Sequence, residues 1–551
     1  MIQCKVIDGL MLRDMAIAGS ALLDQNREAV DALNVFPVPD GDTGTNMSLT
    51  MQSAIREINS KEFLRADEAA QALSKGALKG ARGNSGVITS QLLRGFSKHV
   101  KGQEKLTPVQ FAEAMKAGAE LAYKAVMKPK EGTILTVARV VAEDALKQAQ
   151  KNPDDFIEMF EVIIRSGNAI LARTPEMLPV LKQANVVDSG GSGLMHIYTG
   201  YAAVIEGKSV EEILAEAAKN DGKFVDDHDS ITDLHHIYHT AYVLLPLENT
   251  EEGDIASLRR RLNRIGSYVH VEGDLERVSV HVHTNHPGTA LEDGRELGEL
   301  CEIQVENIQD SRRKKEEAAQ PKTEAPQAVE LTKDFGMVAV SLGEGFSRIF
   351  HDLAVDMVVE GGQTMNPSID DILNAIRAVP AKNVFVFPNN GNVVLAAQQA
   401  AHMADNQQVF VIPTKNVAMG IAAAVAFQPD ISAEENAKRM DEAAQHVKTG
   451  TITYAVRDSE YNGIHIKQGD IIGLHNGKIE YSSDNIHDVA MKMMEAVVEE
   501  DSELITVYYG QDTSETDAQA LTDEIAAAYP ECDVECHSGG QPLYYYLISV
   551  E

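Results

Sequence analysis

Two carboxylates two residues apart, Asp40 and Asp42, stand in the stretch Asn34-Val-Phe-Pro-Val-Pro-Asp-Gly-Asp-Thr-Gly-Thr-Asn-Met47. Magnesium takes one or two protein carboxylates and completes its shell with phosphate oxygens and water. Pro37 and Pro39 stop the preceding helical pattern and hold the approach extended. Thr43, Gly44, Thr45 and Asn46 open a new helical pattern that runs through Arg56. The carboxylates therefore fall on a tight loop at a helix start, where free N–H groups and the helix dipole attract anions. Together these describe a metal and nucleotide-phosphate site. For Asp-Gly-Asp alone, a surface turn with a capping threonine is the plainer reading.

Three more loops of the same kind weigh against the plain turn. Gly80-Ala81-Arg82-Gly83-Asn84-Ser85-Gly86 leads into the helical run 87–100. Glu131-Gly132-Thr133 leads into 134–150, and Val187-Asp188-Ser189-Gly190-Gly191-Ser192-Gly193 leads into 194–205. Each on its own is an ordinary helix start, since Ser, Thr, Asn and Gly all cap helices. Four in one domain, one with paired carboxylates, suggest several helix N-termini converging on a polyphosphate.

The elements that must position these loops are helical. Apolar residues recur at helical spacing from Leu10 to Leu33, and 43–58, 67–79, 86–100, 107–127, 134–150, 155–173, 175–183 and 192–206 read the same way. Residues 1–207 are thus expected to be all-α. Residues 208–230 are polar and acidic and read as a linker with one short helix. Residues 231–310 follow a β-α-β-β-α-β rhythm, the ferredoxin-like motif, which puts the first and third strands side by side in the sheet centre. His239 begins the first of those strands, with His235 and His236 just before it. His281 and His283 lie two apart on the third and so share a face. Three imidazoles across neighbouring strands match an open tetrahedral zinc site; half-buried strand histidines are the simpler reading. Residues 311–333 are Lys, Glu, Ala, Gln and Pro with few large apolar groups, a flexible linker. From 334 to 551 apolar runs alternate with helical stretches, implying βαβ units and a parallel sheet. There Pro388-Asn389-Asn390-Gly391-Asn392 and Pro413-Thr414-Lys415-Asn416 fall at strand C-termini, the usual ligand side of such sheets, although cap residues explain them as well.

Composition narrows the classes. The 551 residues carry 83 acidic and 49 basic side chains, a formal net charge of −34, which argues against nucleic acid or an anionic membrane as the main partner. Hydrophobic content of 44% suits packed cores. The four cysteines, Cys4, Cys301, Cys532 and Cys536, are too scattered for a disulfide framework. Cys532 and Cys536 followed by His537 make only a weak metal or redox motif. The N-terminus lacks a basic start and apolar core, so no signal peptide is expected, and no apolar run approaches the ~20 residues of a membrane span. A soluble cytoplasmic protein is the expectation, and a homodimer is compatible with it.

The Asp-Gly-Asp-Thr-Gly-Thr-Asn-Met stretch, the Gly-Ala-Arg-Gly-Asn-Ser-Gly loop and Val-Val-Asp-Ser-Gly-Gly-Ser-Gly resemble the nucleotide-binding domain of the dihydroxyacetone kinase family. The whole chain, through Gly539-Gly540-Gln541-Pro542, resembles the catalytic component of bacterial fatty acid kinases. The resemblance implies an antiparallel barrel of about eight helices with ATP bound where its loops meet. Asp40 and Asp42 would hold two Mg²⁺ ions. A third ligand would come from the preceding helix end, where Asn34 stands, with Asp31 one turn earlier as the substitute. Thr43, Gly44, Thr45, Asn46, Gly83, Asn84, Ser85, Thr133, Asp188, Ser189 and Gly190 would line the nucleotide. Arg82 would neutralise transition-state charge, or else form a surface salt bridge. The middle domain would hold zinc on His239, His281 and His283, with His239 where the family typically has a cysteine. The implied reaction is transfer of the ATP γ-phosphoryl group to the carboxylate of a fatty acid carried by a separate binding protein that docks on the middle or C-terminal domain. A kinase of dihydroxyacetone or a similar small hydroxylated metabolite is the alternative.

Overall fold

The computed structural model describes residues 4–34, 41–220, 237–247, 250, 252–273, 277–307, 331–362, 365–461 and 463–551. Asp40, His235, His236 and nearly all of the 311–333 linker lie outside the described residues. The chain divides into two compact units, 1–222 together with 328–551, and 223–327. It is a multidomain protein with a helical N-terminal region and α/β domains.

In the N-terminal region eight long helices pack each against the next: Gly9–Gln25, Thr43–Ile58, Ala66–Gly80, Gly83–His99, Pro108–Ala125, Ile134–Lys151, Phe156–Leu171 and Ser189–Ile205, and the last returns to the first. The contact that closes this ring is tight because both faces lack side chains. A Cβ on Gly200 would stand 2.5 Å from the backbone of Ala18 and Gly19. Phe111 sits at the core, with the rings of Phe96, Phe156 and Phe160 at centroid distances of 5.0, 5.8 and 5.7 Å. The starts are set by local chemistry. Thr107 and Gln110 form a capping box ahead of Pro108, and Asp155 accepts the amides of Ile157 and Glu158. The expected helix 9–33 is broken at Asn26, whose side-chain amide donates back to the Leu22 carbonyl, and a short helix Arg27–Asp31 follows. The expected helix 175–183 is two pieces, Thr174–Met177 and Pro179–Ala184, because a proline cannot continue the first. Val210–Asn220 is the short helix expected after 207.

Among its described residues the second unit carries one sheet of four strands: β1 (Tyr238–Pro246), β2 (Gly266–Gly273), β3 (Val278–Thr284) and β4 (Gly298–Asn307). Their order is β2-β3-β1-β4, so the first and third strands are central. The helices Glu252–Ile265 and Pro287–Arg295 supply the two crossovers. Val278, Val280, Val282, Tyr242 and Leu244 form the sheet's share of the core.

The C-terminal part contains two larger sheets. The first is wholly parallel, in order β6-β5-β7-β8: β5 (Lys333–Ser341), β6 (Met357–Glu360), β7 (Ala381–Phe387) and β8 (Gln408–Val411). β5 begins at Lys333, the last residue of the expected linker. The second sheet joins β9 (Lys448–Tyr454), β12 (Ile471–His475), β13 (Lys478–Ser483), β14 (Leu504–Tyr509), β15 (Asp533–Ser538) and β16 (Tyr544–Val550) in order β13-β12-β9-β16-β14-β15. A separate hairpin pairs β10 (Ser459–Tyr461) with β11 (Ile464–Ile466). The parallel sheet buries Val338, Val340, Val384 and Val386 against the helix Ile369–Ala378. Ala81, Val87 and Ile88 of the helical region pack in the same cluster, so the two parts share a core.

Candidate nucleotide-phosphate site

The helix Thr43–Ile58 starts where two short loops and one helix end meet. Asn34, at the end of the preceding helical stretch, offers its side-chain oxygen to two hydroxyls. Thr43 Oγ1 and Ser189 Oγ each lie 3.4 Å from Asn34 Oδ1. Ser85 Oγ donates to the Thr43 carbonyl at 3.3 Å. Three of the four loops picked out by composition therefore converge on Asn34 and Thr43. The fourth is tied in through Asp188. Its carboxylate accepts the Gly191 amide at 2.7 Å and also a hydrogen bond from the backbone of Ile134, the residue after Thr133. Thr133 itself caps Ile134–Lys151, accepting from the Leu135 amide and donating to the Lys130 carbonyl. Burial pushes the Asp188 carboxyl up to about 6, against the two backbone hydrogen bonds that favour its ionised form.

The helix end itself is used differently from expectation. The amides of Gly44 and Thr45, expected to donate to phosphate, are taken by Asp31 at 2.6 and 3.2 Å, and Thr45 Oγ1 donates to Asp31 Oδ2 at 2.7 Å. Asp31 is thus a cap supplied from a distance, with both of its oxygens engaged by the backbone and hydroxyl of this helix. Burial raises its carboxyl above the ordinary range, in spite of hydrogen bonds from Thr45 and Gly44 and the nearby Arg27. The Asn46 amide closes the first helical turn onto the Asp42 carbonyl at 2.8 Å. Thr43, Ser85 and Ser189 remain as the convergent hydroxyls.

Asp42 is buried, 9% exposed, and does not cap the helix with its side chain. Its Oδ2 receives the side-chain amide of Asn366, which is 1% exposed. Asn366 also holds Arg82: the guanidinium donates to the Asn366 carbonyl at 2.8 Å and pairs with Asp371 at 3.4 Å. Of the two expectations for Arg82, the salt bridge is the one formed. The guanidinium thereby ties the second loop to the C-terminal part. Gly83 has φ +57°, and a Cβ there would stand 2.4 Å from Asn46 Nδ2. Asn84 Nδ2 donates to Asn392 Oδ1 at 3.0 Å. Arg457 reaches the carbonyls of Ala32, at 2.9 Å, and Asn34. Asn366, Asn392 and Arg457 were not expected at this site. Local signals are that Asn366-Pro367 is a turn dipeptide and that Asn392 closes the loop after a parallel strand.

Asp42, Asn34 and Asn366 Oδ1, which has no hydrogen-bond partner among the described residues, offer hard oxygen donors, the type that suits magnesium. Asp40, the other expected ligand, lies outside the described residues. In the second unit His239 and His283 are register partners across β1 and β3. His239 Nε2 lies 3.4 Å from His281 Nδ1, and Ser279 Oγ is 3.3 Å from His281 Nε2. Among the described residues no group of three or more His, Cys, Asp or Glu side chains is disposed to hold a metal ion. The three histidines expected to hold zinc are brought together on the two central strands, with the His239 ring centroid 5.6 Å from that of His281 and 5.4 Å from that of His283. The four cysteines are free thiols, and Cys532 donates to the Ser502 carbonyl at 3.1 Å. No helix among the described residues is long and apolar enough to cross a membrane.

Comparison with known proteins matches three family models along the chain. Residues 37–203 match the DAK2 domain, 236–315 the middle domain of FakA-like fatty acid kinases, and 336–551 the C-terminal domain of the same FakA-like proteins. Protein YloV of Bacillus subtilis strain 168 is 41% identical over 99% of this chain and 100% of its own length. An uncharacterized protein of Staphylococcus aureus strain USA300 is 40% identical over 99% of both chains. A solved fatty-acid-binding structure of a DegV family protein from Thermus thermophilus is 15% identical, covering 39% of this chain and 99% of its own, with a TM-score of 0.30. With three consecutive family models and near-complete coverage of relatives at this identity, the chain belongs to the FakA-like fatty acid kinase family and carries that family's DAK2 domain at its N-terminal end.

Proposed function

We propose that this protein is the ATP-dependent kinase component that phosphorylates the carboxylate of a fatty acid held by a separate binding protein, giving an acyl phosphate for phospholipid synthesis in the cytoplasm. The single observation that carries the reading is the meeting of the loop starts: Thr43 and Ser189 on Asn34 Oδ1, with Ser85 on the Thr43 carbonyl, beside the buried Asp42. Hydroxyls and helix starts around an acidic oxygen suit phosphates with a hard cation. Asp42, with Asp40, would hold the magnesium ions that offset phosphate charge, and Asn34 would complete the set.

Phosphoryl transfer is mostly positioning and charge neutralisation. A carboxylate oxygen of the fatty acid attacks the γ-phosphorus while the bond to the ADP oxygen breaks. A carboxylic acid with a pKa near ~4 is already ionised at neutral pH, so no general base is required. Thr43, Ser85 and Ser189 would orient phosphate oxygens. Gly83 would allow close backbone approach, Asn46 would donate to phosphate, and Asn84, Thr133, Asp188 and Gly190 would frame the nucleotide. The helical ring would serve as a barrel for this site. The middle domain would be a ferredoxin-like module, and the C-terminal part would dock the carrier.

The decisive test incubates the protein with labelled ATP, oleate and a fatty-acid-binding partner, omitting each in turn. Acyl phosphate should form only in the complete mixture, and Asp42→Ala should abolish it. Turnover of dihydroxyacetone without any partner would instead assign the protein to small-metabolite kinases.

A further inference from the structure

A second site lies in the C-terminal part, away from the kinase loops. The chain runs from β5 outward to β6 on one side and then crosses to β7 on the other. The crevice beyond the C-terminal ends of β5 and β7 is thus the point where strand order reverses, the place where open parallel sheets take ligands. A cavity of about 90 Å³, measured as the space open to the centre of a water-sized sphere, occupies that crevice, room for several waters or a small ligand group. Its floor is Val340 to Leu342 at the end of β5 and Pro388 to Asn390 after β7, and its roof comes from the second sheet with Leu543 and Leu547. Among the described residues, none of the kinase loops lines it.

Three of the lining side chains hold a buried polar atom without a hydrogen-bond partner among the described residues: Ser341 Oγ, Asn390 Nδ2 and Gln541 Oε1. These residues are 2, 7 and 8% exposed. Native interiors rarely leave such atoms unsatisfied, and three in one cavity call for an explanation. Their chemistry is set by what their other atoms do. Asn390 Oδ1 accepts the Asn392 amide at 2.8 Å, which leaves Nδ2 as a donor. Gln541 Nε2 donates to the Tyr508 carbonyl at 3.1 Å, which leaves Oε1 as an acceptor. Ser341 can do either. Among the described residues no charged side chain lines the cavity, so an ionised head would be desolvated without a counter-charge. The rest of the wall is apolar, with Phe346, Leu543 and Leu547 prominent. Ser341, Leu342 and Pro542 also border a wider polar recess beside it.

We propose that this cavity binds an uncharged amphiphile, an aliphatic body with a head that both donates and accepts, such as a primary alcohol or a carboxamide. The head accepts from Asn390 and Ser341 and donates to Gln541, while the chain lies on Phe346, Leu543 and Leu547. This assignment does not depend on the kinase reading. The test titrates the full-length protein by calorimetry at neutral pH with octanol, octanamide and octanoate as probes. Octanol and octanamide should bind, with octanoate at least about tenfold weaker. Ser341→Ala deletes a hydroxyl that has no partner among the described residues, and Asn390→Asp keeps the acceptor for Asn392 while removing the donor. Each should weaken octanamide about fivefold to tenfold with thermal unfolding unchanged in the alanine variant. Absence of binding by all three probes, octanoate binding as tightly as octanamide, or undiminished octanamide binding by the folded Ser341→Ala protein would each overturn the proposal.

Discussion

The carboxylate of Asp31 caps a helix that begins well beyond it: Oδ1 lies 2.6 Å from the amide nitrogen of Gly44, 13 residues on, and Oδ2 takes the hydroxyl of Thr45. A carboxylate at a helix N-terminus satisfies otherwise orphaned donors and offsets the dipole. Asp31→Ala should therefore lower stability by about 1–2 kcal/mol, with Asp31→Asn costing less because one acceptor oxygen survives. Denaturant unfolding of the three proteins checks the order. If Asp31 were a metal ligand instead, Asp31→Ala would raise the magnesium requirement with stability unchanged, and the capping account would fail.

Asp42 and Asn366 make a second pair, joined across 324 residues. The amide fixes one carboxylate oxygen and leaves the charge in place. Asp42→Ala should cost about 10³-fold or more in phosphoryl transfer, since it deletes an anion that the proposed site uses to hold its cation. Asn366→Ala should act more mildly, raising the magnesium concentration for half-maximal rate by about threefold to tenfold while leaving kcat nearly intact at saturating metal. Magnesium titrations of the initial rate separate the two outcomes. Equal effects of both variants on kcat would show that Asn366 does more than position its neighbour.

Much of the architecture was legible because its signals are local. Apolar spacing, Thr107 before Pro108 and Asp155 before Phe156 place helix starts without knowledge of the rest of the chain. The β-α-β-β-α-β rhythm was enough for the central position of β1 and β3. The loops carrying Thr43, Ser85 and Ser189 were recognisable from small residues ahead of helices, and they do meet. What was hidden is long-range. Nothing near Asn366, Asn392 or Arg457 marks them as neighbours of Asp42, Asn84 and Asn34, because each contact spans several hundred residues of chain. The pairing of β9 with β16, which merges two stretches into one six-stranded sheet, is hidden for the same reason. The structural partners of Arg82 and Asp31, namely Asp371 and the Gly44 amide, likewise cannot be read from spacing alone.

Asp188 gives the fold a pH signature. Its carboxyl titrates near about 6 in the folded protein, against about 4 for an unfolded aspartate. Between these values the folded state binds the extra proton, so stability falls as pH rises from about 4 to about 6 and is level above that. Asp188→Asn cannot ionise and should lose this contribution. The difference in melting temperature between native protein and Asp188→Asn should therefore change across that window in the direction that favours the native protein at the acid end. A pH-independent difference would show that Asp188 is ionised throughout and acts as an ordinary cap.

Gly83 is a position in the second loop at which the backbone admits no side chain. Its φ of +57° lies in the left-handed region, where any other residue is strained. A methyl group there would also meet Asn46 Nδ2 at 2.4 Å, and Asn46 is itself buried. Gly83→Ala pays both costs, the backbone term of about 1 kcal/mol and a steric shift that must be shared with Asn46. The expected loss is about 2–3 kcal/mol in stability, together with weaker nucleotide binding, because Ser85, two residues on, contacts the Thr43 carbonyl. The same change at Gly102, which also has positive φ but has nothing within 4 Å of its Cβ position, should cost only the backbone term. Thermal unfolding of the two variants side by side isolates the steric part. Equal losses would mean that Asn46 gives way freely and that the second loop is not braced against the first.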